Sequence, residues 1–102
     1  MNEEFFRQRL SQLRSQKGVS ARDMSLTLGQ SESYINKIEN GKAFPSMQIF
    51  FYICDYFGIS PRDFFDEDAG NPVLLNTLIG DLKTLSDSQI ANIANIVKDL
   101  KR

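Results

Sequence analysis

The sequence contains no histidine, no tryptophan and a single cysteine, Cys54. Histidine is the commonest general base near neutral pH and a frequent metal ligand, so its absence disfavours an enzyme and a transition-metal site. One cysteine can form neither an internal disulfide nor a cysteine-based zinc site, and it is compatible with a reducing compartment. We therefore expect no enzymatic activity, no metal and no cofactor, and we interpret Cys54 as a core residue rather than a redox switch.

Long apolar runs and a strong net charge are also missing. No stretch approaches the roughly 18 consecutive apolar residues of a membrane-spanning helix. The first residues, Met1 to Glu4, are acidic where a secretory signal is basic. These features predict a soluble, cytoplasmic protein with no membrane partner. The 12 basic and 13 acidic side chains give a net charge of −1, so no overall positive field indicates nucleic acid.

The residues that are present predict an all-α protein. A length of 102 residues with 41% hydrophobic and 25% charged side chains fits one globular domain with an appended helix or two. Apolar residues recur at spacings of three and four, and the alternation typical of strands is absent, so we predict seven helices. Their predicted N-caps are Asn2, Ser20, Ser31, Ser60, Asn71 and Ser86, and the fourth helix follows a turn at Phe44-Pro45-Ser46.

An acidic, turn-rich stretch at residues 66–70 divides the chain into two regions. We assign residues 1–68 to a first domain and residues 69–102 to a C-terminal helical extension. Residues 1–60 carry seven basic and six acidic side chains, whereas the rest carries five basic and seven acidic ones. The near-zero total therefore combines a slightly basic segment, residues 1–60, with an acidic remainder.

The most informative local pattern is the pair formed by the second and third predicted helices. About three residues that include Gly29 join them, and so short a connection crosses two helices at a steep angle, as in a helix-turn-helix. Gly29 lies where a positive φ is needed, and the small Ser25 lies where the two helices must approach closely. The positions that would hold the helices together are Met24, Leu28, Ile35 and Ile38.

Further turn, cap and core residues occur at a specific joint spacing. They are Arg9-Leu10, Leu13-Arg14, Lys17-Gly18-Val19-Ser20, Gly29, Ile35, Ile38-Glu39-Asn40-Gly41-Lys42, Pro45-Ser46 and Phe57-Gly58-Ile59-Ser60. With them, residues 6–65 resemble the phage repressor and Cro proteins, which belong to the xenobiotic response element type of bacterial regulators. The sequence departs from that family at Ser25, where alanine is usual, and at Gln30, where the turn residue is usually apolar.

The resemblance implies a five-helix DNA-binding domain, usually dimeric, whose third helix enters the major groove of double-stranded DNA. It also implies that Arg14 and Glu39 form a partly buried ion pair that fixes how the recognition helix is presented. We expect this pair to be structural, because removing one partner of such a pair is strongly destabilising.

Base contacts are expected at the start of the third helix, because a helix that enters the groove by its N-terminus brings its first residues nearest the base edges. The candidates are Glu32, Ser33, Tyr34 and Lys37. Glutamate can accept from cytosine N4, lysine can donate to guanine, and tyrosine can pack on a thymine methyl group. Each of these residues has an alternative role. Glu32 could only complement the helix dipole, Lys37 could be a solvated surface lysine, and Tyr34 could pack on the protein.

Phosphate contacts are expected from residues that flank the two helices. The candidates are Ser20, Arg22, Ser31, Asn40 and Lys42. Ser20 and Ser31 could equally be N-caps with no further role.

The C-terminal extension is expected to provide a homodimer interface, because its first helix is too apolar to remain in water. The expected interface residues are Leu74, Leu75, Leu78, Ile79, Leu82, Ile93, Ile96 and Val97. The aromatic residues Phe51, Tyr52 and Tyr56 widen the apolar face of the fourth helix. We expect the last two helices of the same chain, or a second subunit, to cover them.

Together these features predict a sequence-specific DNA-binding transcriptional regulator that binds an inverted-repeat operator as a homodimer. The alternative is a protein-interaction module on the same fold, either antitoxin-like or a partner-binding regulator, in which DNA binding is secondary or lost. Glu32 and the small excess of positive charge favour that alternative. The salt dependence of binding to random DNA distinguishes the two, because its slope counts the phosphates that the protein neutralises.

Overall fold

The computed structural model describes residues 2–68 and 70–101, and these residues form seven α-helices and no strand. The helices are α1 (Glu3–Lys17), α2 (Ala21–Thr27), α3 (Tyr34–Glu39), α4 (Met47–Phe57), α5 (Pro61–Phe64), α6 (Pro72–Leu82) and α7 (Asp87–Leu100). The predicted all-α class is confirmed. Ala69, at the expected boundary between the two regions, lies outside the described residues.

Five of the six predicted N-caps are confirmed by side-chain hydrogen bonds to the first turn of the helix. They are Asn2, Ser20, Ser60, Asn71 and Ser86, and Ser46 caps α4 in the same way. The cap predicted at Ser31 is wrong. The Tyr34 N–H bonds to the Ser31 carbonyl oxygen in a tight turn, so α3 begins at Tyr34. Ser33 therefore occupies the N-cap position, and its hydroxyl makes no capping bond to a described residue.

The first five helices enclose one hydrophobic core. Its buried members are Phe6, Leu10, Leu13, Met24, Ile35, Ile38, Phe50, Ile53, Cys54, Phe57, Ile59 and Phe64. The rings of Phe6, Phe50 and Phe64 meet at centroid distances of 4.9 to 5.8 Å. Cys54 is a core residue, as predicted: it is 2% exposed, and burial with the nearby carboxylates of Asp55 and Asp63 raises the pKa of its thiol to about 11.

The buried Arg9 links α1 to the end of α5. The Arg9 guanidinium donates to the Phe64 carbonyl oxygen at 2.8 Å, to that of Asp63 at 3.3 Å and to that of Asp66. It also donates to Gln12 Oε1 at 2.8 Å. Burial lowers the pKa of Arg9, and the charge of Asp66 opposes that effect. Arg9 therefore fastens α5 to α1 by satisfying carbonyl groups at the C-terminal end of α5.

The beginning of α6 is attached to this core. Pro72 is fully buried, and Val73 packs against the core. The Asn76 amide donates to the Gly58 carbonyl oxygen and to Asp63 Oδ2, both at 3.1 Å. Gln12 and Gln16 of α1 each donate to the carbonyl oxygen of Gly70 at 2.8 Å. Contacts on either side of residue 69 thus fix the direction in which α6 leaves the core.

Beyond Asn76, α6 and α7 form an arm that extends from the core. None of the fourteen residues of α7, all of them described, is buried. The radius of gyration is 16.4 Å, compared with about 13 Å for a compact chain of this length. The arm leaves Phe51 and Tyr52 exposed by 47% and 46%. Of the two expected covers, the last two helices of the same chain are therefore ruled out, and a second subunit stays a prediction. Tyr56 is half-buried, with Lys17 Nζ 5.0 Å from its ring centroid.

Candidate nucleic-acid interface

The turn between α2 and α3 is formed around Gly29, which has a φ of +73°. The Gly29 N–H bonds to the Leu26 carbonyl oxygen, and the Gln30 N–H bonds to that of Ser25, both at 3.0 Å. This left-handed turn satisfies the last carbonyl groups of α2, and a side chain at Gly29 would be strained at that φ. The chain can therefore reverse within a few residues and enter α3.

Ser25 contributes a hydrogen bond that the sequence analysis did not foresee. Its hydroxyl is fully buried, donates to the Ala21 carbonyl oxygen at 2.7 Å and accepts from the Ile35 N–H at 2.9 Å. Ile35 lies in the first turn of α3, where an N–H has no partner within the helix. Ser25 thus caps α3 from the neighbouring helix and fixes the crossing of the two. The departure from alanine at this position was the available sequence signal.

A second contact that holds α3 in place is the ion pair between Arg14 of α1 and Glu39 at the end of α3. Arg14 Nε lies 2.8 Å from Glu39 Oε2, and Nη2 lies 2.9 Å from Oε1. Arg14 Nη1 also donates to the Val19 carbonyl oxygen at 3.0 Å. The hydrogen bonds to Glu39 raise the pKa of Arg14, and partial burial opposes that effect. This two-pronged geometry is the strong form of an arginine–carboxylate contact.

The four candidate base-contacting residues have different environments. Glu32 is exposed and Ser33 is half-buried, and both lie in the turn that precedes α3 rather than in the helix. Lys37 is exposed on α3 itself. Tyr34 is half-buried with its ring against the core, and burial raises the pKa of its hydroxyl. Packing on the protein is thus observed for Tyr34, and its contact with the groove stays a prediction.

Asn36 is a polar residue of the same surface that the sequence analysis passed over. It is exposed on α3, four residues after Glu32, and lines a shallow depression with Glu32, Ser33, Arg22 and Ala21. Its Oδ1 accepts from Asn40 Nδ2 at 3.1 Å. Asparagine can pair with adenine N6 and N7. With the third helix predicted to begin after Ser31, the spacing of four between Glu32 and Asn36 was the available sequence signal.

The five candidate phosphate-contacting residues fall into two groups at opposite ends of α3. Ser20, Arg22 and Ser31 lie around the start of α2 and the turn before α3, and all three are exposed. Asn40 and Lys42 lie at the C-terminal end of α3 and are also exposed. The Ser20 hydroxyl accepts from the Asp23 N–H at 3.0 Å, so its capping role is established.

Arg7 is a second residue that the sequence analysis missed. It belongs to α1, and its guanidinium lies against Gly41, where an added Cβ would be 3.5 Å from Arg7 Cζ. That contact brings a cation beside Asn40 and Lys42. The sequence signal was its spacing of seven from Arg14, which places both arginines on the same face of α1.

Three of the eight basic side chains in residues 2–68 make hydrogen bonds or ion pairs within the protein. Arg9 is buried against α5 and Arg14 is paired with Glu39. Arg22 Nε lies 3.1 Å from Glu32 Oε2, although both side chains are well exposed. Lys37 and Lys42 are the exposed cations of α3 and the turn that follows it. The excess of positive charge at this surface is therefore small, as the sequence count suggested.

Comparison with known proteins supports a helix-turn-helix regulator. A family model described as a helix-turn-helix domain matches residues 8–68, which is more than half of the chain and includes α2 to α5. Neither a curated protein nor a solved structure gives a significant match. Within residues 2–68 and 70–101, no helix has the length and apolar content to cross a membrane. The chain belongs to the helix-turn-helix domain family.

Proposed function

We propose that the protein is a sequence-specific, DNA-binding transcriptional regulator of the phage repressor and Cro type, and that α3 enters the major groove. One observation carries this proposal: the polar side chains of Glu32, Asn36 and Lys37 are exposed, while α3 is held from both ends. Ser25 fixes its first turn and the Arg14–Glu39 pair fixes its last. A recognition surface must be preorganised in this way to discriminate between base edges.

The two groups of phosphate candidates support the same orientation. Ser20, Arg22 and Ser31 precede α3 in the chain, and Asn40 and Lys42 follow it. Arg7 of α1 lies against Gly41, between the last two. Contacts of this kind hold a recognition helix in register without reading the sequence. Because few cations are available, we expect modest affinity from one protomer.

We further propose that two copies associate through the arm formed by α6 and α7. Leu74, Leu75 and Leu78 of α6 are exposed by 65%, 47% and 53%, and Ile96 and Val97 of α7 by 58% and 48%. Ile79 is exposed by 40%, and Leu82 and Ile93 are half-buried. Apolar faces of this kind are costly in water and favour association. A two-fold dimer would present two recognition helices about 34 Å apart to an inverted repeat.

Selection of bound duplexes from a random DNA pool tests this function. We expect enrichment of an inverted repeat with half-sites one helical turn apart. Lys37→Ala should relax the preference at one base position of each half-site, which is typically worth about 1–3 kcal/mol per base pair. Lys101→Ala, which removes the same charge near the end of the chain, serves as the matched control. Absence of any enriched sequence, together with no binding at low salt, would contradict the proposal.

The protein-interaction module is the second candidate, and the exposed aromatic residues of α4 favour it. Phe51 and Tyr52 are 47% and 46% exposed, and the nearby Phe44 is 57% exposed. A module of this kind would bind random DNA weakly, and its affinity would change little with salt. A steep salt dependence favours the DNA-binding regulator over this alternative.

A further inference from the structure

Arg22 and Glu32 form an ion pair at the surface that we propose to face DNA. Arg22 Nε lies 3.1 Å from Glu32 Oε2, and the two side chains are 68% and 66% exposed. The pair joins the first turn of α2 to the turn that precedes α3. Both residues line the depression that also contains Ser33 and Asn36.

So exposed a pair contributes little to folding, because solvent screens it and both side chains lose freedom when they meet. Its effect is on the charge of this surface. Among the described residues, Arg22 is the only cation paired with Glu32, and Glu32 is its only acidic partner. Glu32 thus offsets the positive charge of Arg22 in the free protein.

The two side chains also keep bonding capacity beyond the pair. Within the described part of the chain, Glu32 uses Oε2 and leaves Oε1 without a partner, while Arg22 uses Nε and leaves both Nη groups without one. One carboxylate oxygen is therefore available to accept a hydrogen bond, and two guanidinium nitrogens are available to donate. The ion pair can remain intact while Glu32 accepts a hydrogen bond from a base and Arg22 donates hydrogen bonds to a phosphate.

We propose that Glu32 and Arg22 act as one unit that makes tight binding conditional on a cytosine in the operator. This inference rests on the proposed DNA-binding function. On random DNA the Glu32 carboxylate repels the phosphates and the acceptor atoms of guanine and thymine, and it cancels the attraction of Arg22. Opposite a cytosine, Oε1 accepts from the N4 amino group while Oε2 continues to hold Arg22, whose Nη groups then donate to a phosphate.

Binding measurements on four full-length proteins test the inference: the wild type, Glu32→Gln, Arg22→Ala and the double variant. Each is measured on the selected operator and on a random duplex between 50 and 200 mM salt. Glu32→Gln should steepen the salt dependence on the random duplex by one phosphate contact per protomer, which is about a threefold larger change in affinity over that salt range. It should also shift the preferred base from cytosine toward adenine, which a glutamine amide recognises.

The Arg22→Ala substitution provides the decisive comparison. It should weaken random-duplex binding less in the wild-type background, where Glu32 offsets the charge of Arg22, than in the Glu32→Gln background. In the Glu32→Gln background it should remove the gained affinity and the gained salt dependence. Asp99→Asn, which removes one exposed carboxylate near the end of α7, should have neither effect and controls for net charge. Unchanged melting temperatures show that the variants fold.

Two failures are distinguishable in this experiment. If the wild type selects an operator but Glu32→Gln keeps the same preferred base and the same salt dependence, the coupled unit is wrong and the DNA-binding function stands. If Arg22→Ala weakens random-duplex binding equally in both backgrounds, the inference is likewise overturned. If the wild type binds no DNA even at low salt, the proposed function itself fails, and the inference fails with it.

Discussion

The first five helices and the last two contain similar apolar residues at similar spacings, yet bury them to very different extents. Leu10 and Leu13 of α1 are fully buried, and so is Ile38 of α3. In the arm, Leu78 of α6 is 53% exposed and Leu100 of α7 is 79% exposed. An amphipathic stripe therefore shows that a helix has a face to bury, but it does not show which surface covers that face.

The two regions differ in what surrounds them. The short helices α2, α3 and α5 pack around α1 and α4, and their apolar residues meet in one core. The contacts that attach the arm to the core lie at the beginning of α6, at Pro72, Val73 and Asn76, and just before it, at Gly70. This contrast predicts that equal substitutions have unequal effects at packed and at exposed positions, and four changes test it, in order of decreasing effect on stability.

The largest loss of stability is expected for Leu10→Ala. Leu10 is fully buried, and removing its side chain leaves a cavity in the core, which costs about 4 kcal/mol of the free energy of unfolding. Leu100→Ala, at a position that is 79% exposed, is the matched change in the arm and should cost less than about 0.5 kcal/mol. Urea unfolding of both variants measures the difference. Similar losses would mean that the arm is as well packed as the core.

The next largest effect is expected for Glu39→Ala. It leaves the partly buried Arg14 guanidinium without its carboxylate, and the side chains of this pair are only 21% and 12% exposed. We expect a loss of about 3 kcal/mol, because an uncompensated charge remains. Glu32→Ala breaks the exposed ion pair and should cost less than about 1 kcal/mol. Equal melting temperatures for the wild type and Glu39→Ala would show that the Arg14–Glu39 pair is not structural.

A smaller loss is expected for Ser25→Ala. The substitution leaves the buried Ile35 N–H without its acceptor, which costs about 2 kcal/mol. Ser33→Ala is the control, because the Ser33 hydroxyl makes no capping bond to a described residue. Thermal unfolding separates the two. Backbone hydrogen exchange at Ile35 should also become faster in Ser25→Ala, whereas unchanged exchange would contradict the capping role.

The smallest effect on the folded monomer, and the largest on association, is expected for Leu78→Asp. Leu78 is 53% exposed, so the monomer should lose less than about 0.5 kcal/mol. In the proposed dimer the same change buries a carboxylate in an apolar interface, so sedimentation should show dissociation at concentrations where the wild type is dimeric. Thr77→Asp adds the same charge on a neighbouring face of α6. Dissociation of both variants, or of neither, would argue against this interface.

Most of the local structure could be predicted because its causes are local. The N-cap side chains of Asn2, Ser20 and Ser86 bond to backbone groups three residues away, so short sequence patterns specify them. The cap predicted at Ser31 failed because a distant residue takes its place. The Ser25 hydroxyl of α2 accepts from the Ile35 N–H, ten residues away, and a short window of sequence does not show that contact.

The site was predicted less completely than the fold. Sequence spacing identified the residues of the turn and of the start of α3, but it passed over Asn36 and Arg7. It treated Arg9 as one more basic side chain, whereas the guanidinium is buried against carbonyl groups of α5, more than fifty residues away in the chain. Such a contact joins distant segments, and no periodicity encodes it.

The sequence by itself determined that the chain is helical, where most of its helices begin and which face of each is apolar, because caps, glycines and spacing act within a few residues. Only the tertiary structure decided which polar groups are used internally and which remain at the surface. Arg9, Arg14 and Ser25 bond across helices, whereas Lys37 and Lys42 remain exposed. The near-zero net charge was therefore uninformative: the number of cations is a property of the sequence, but their availability depends on packing.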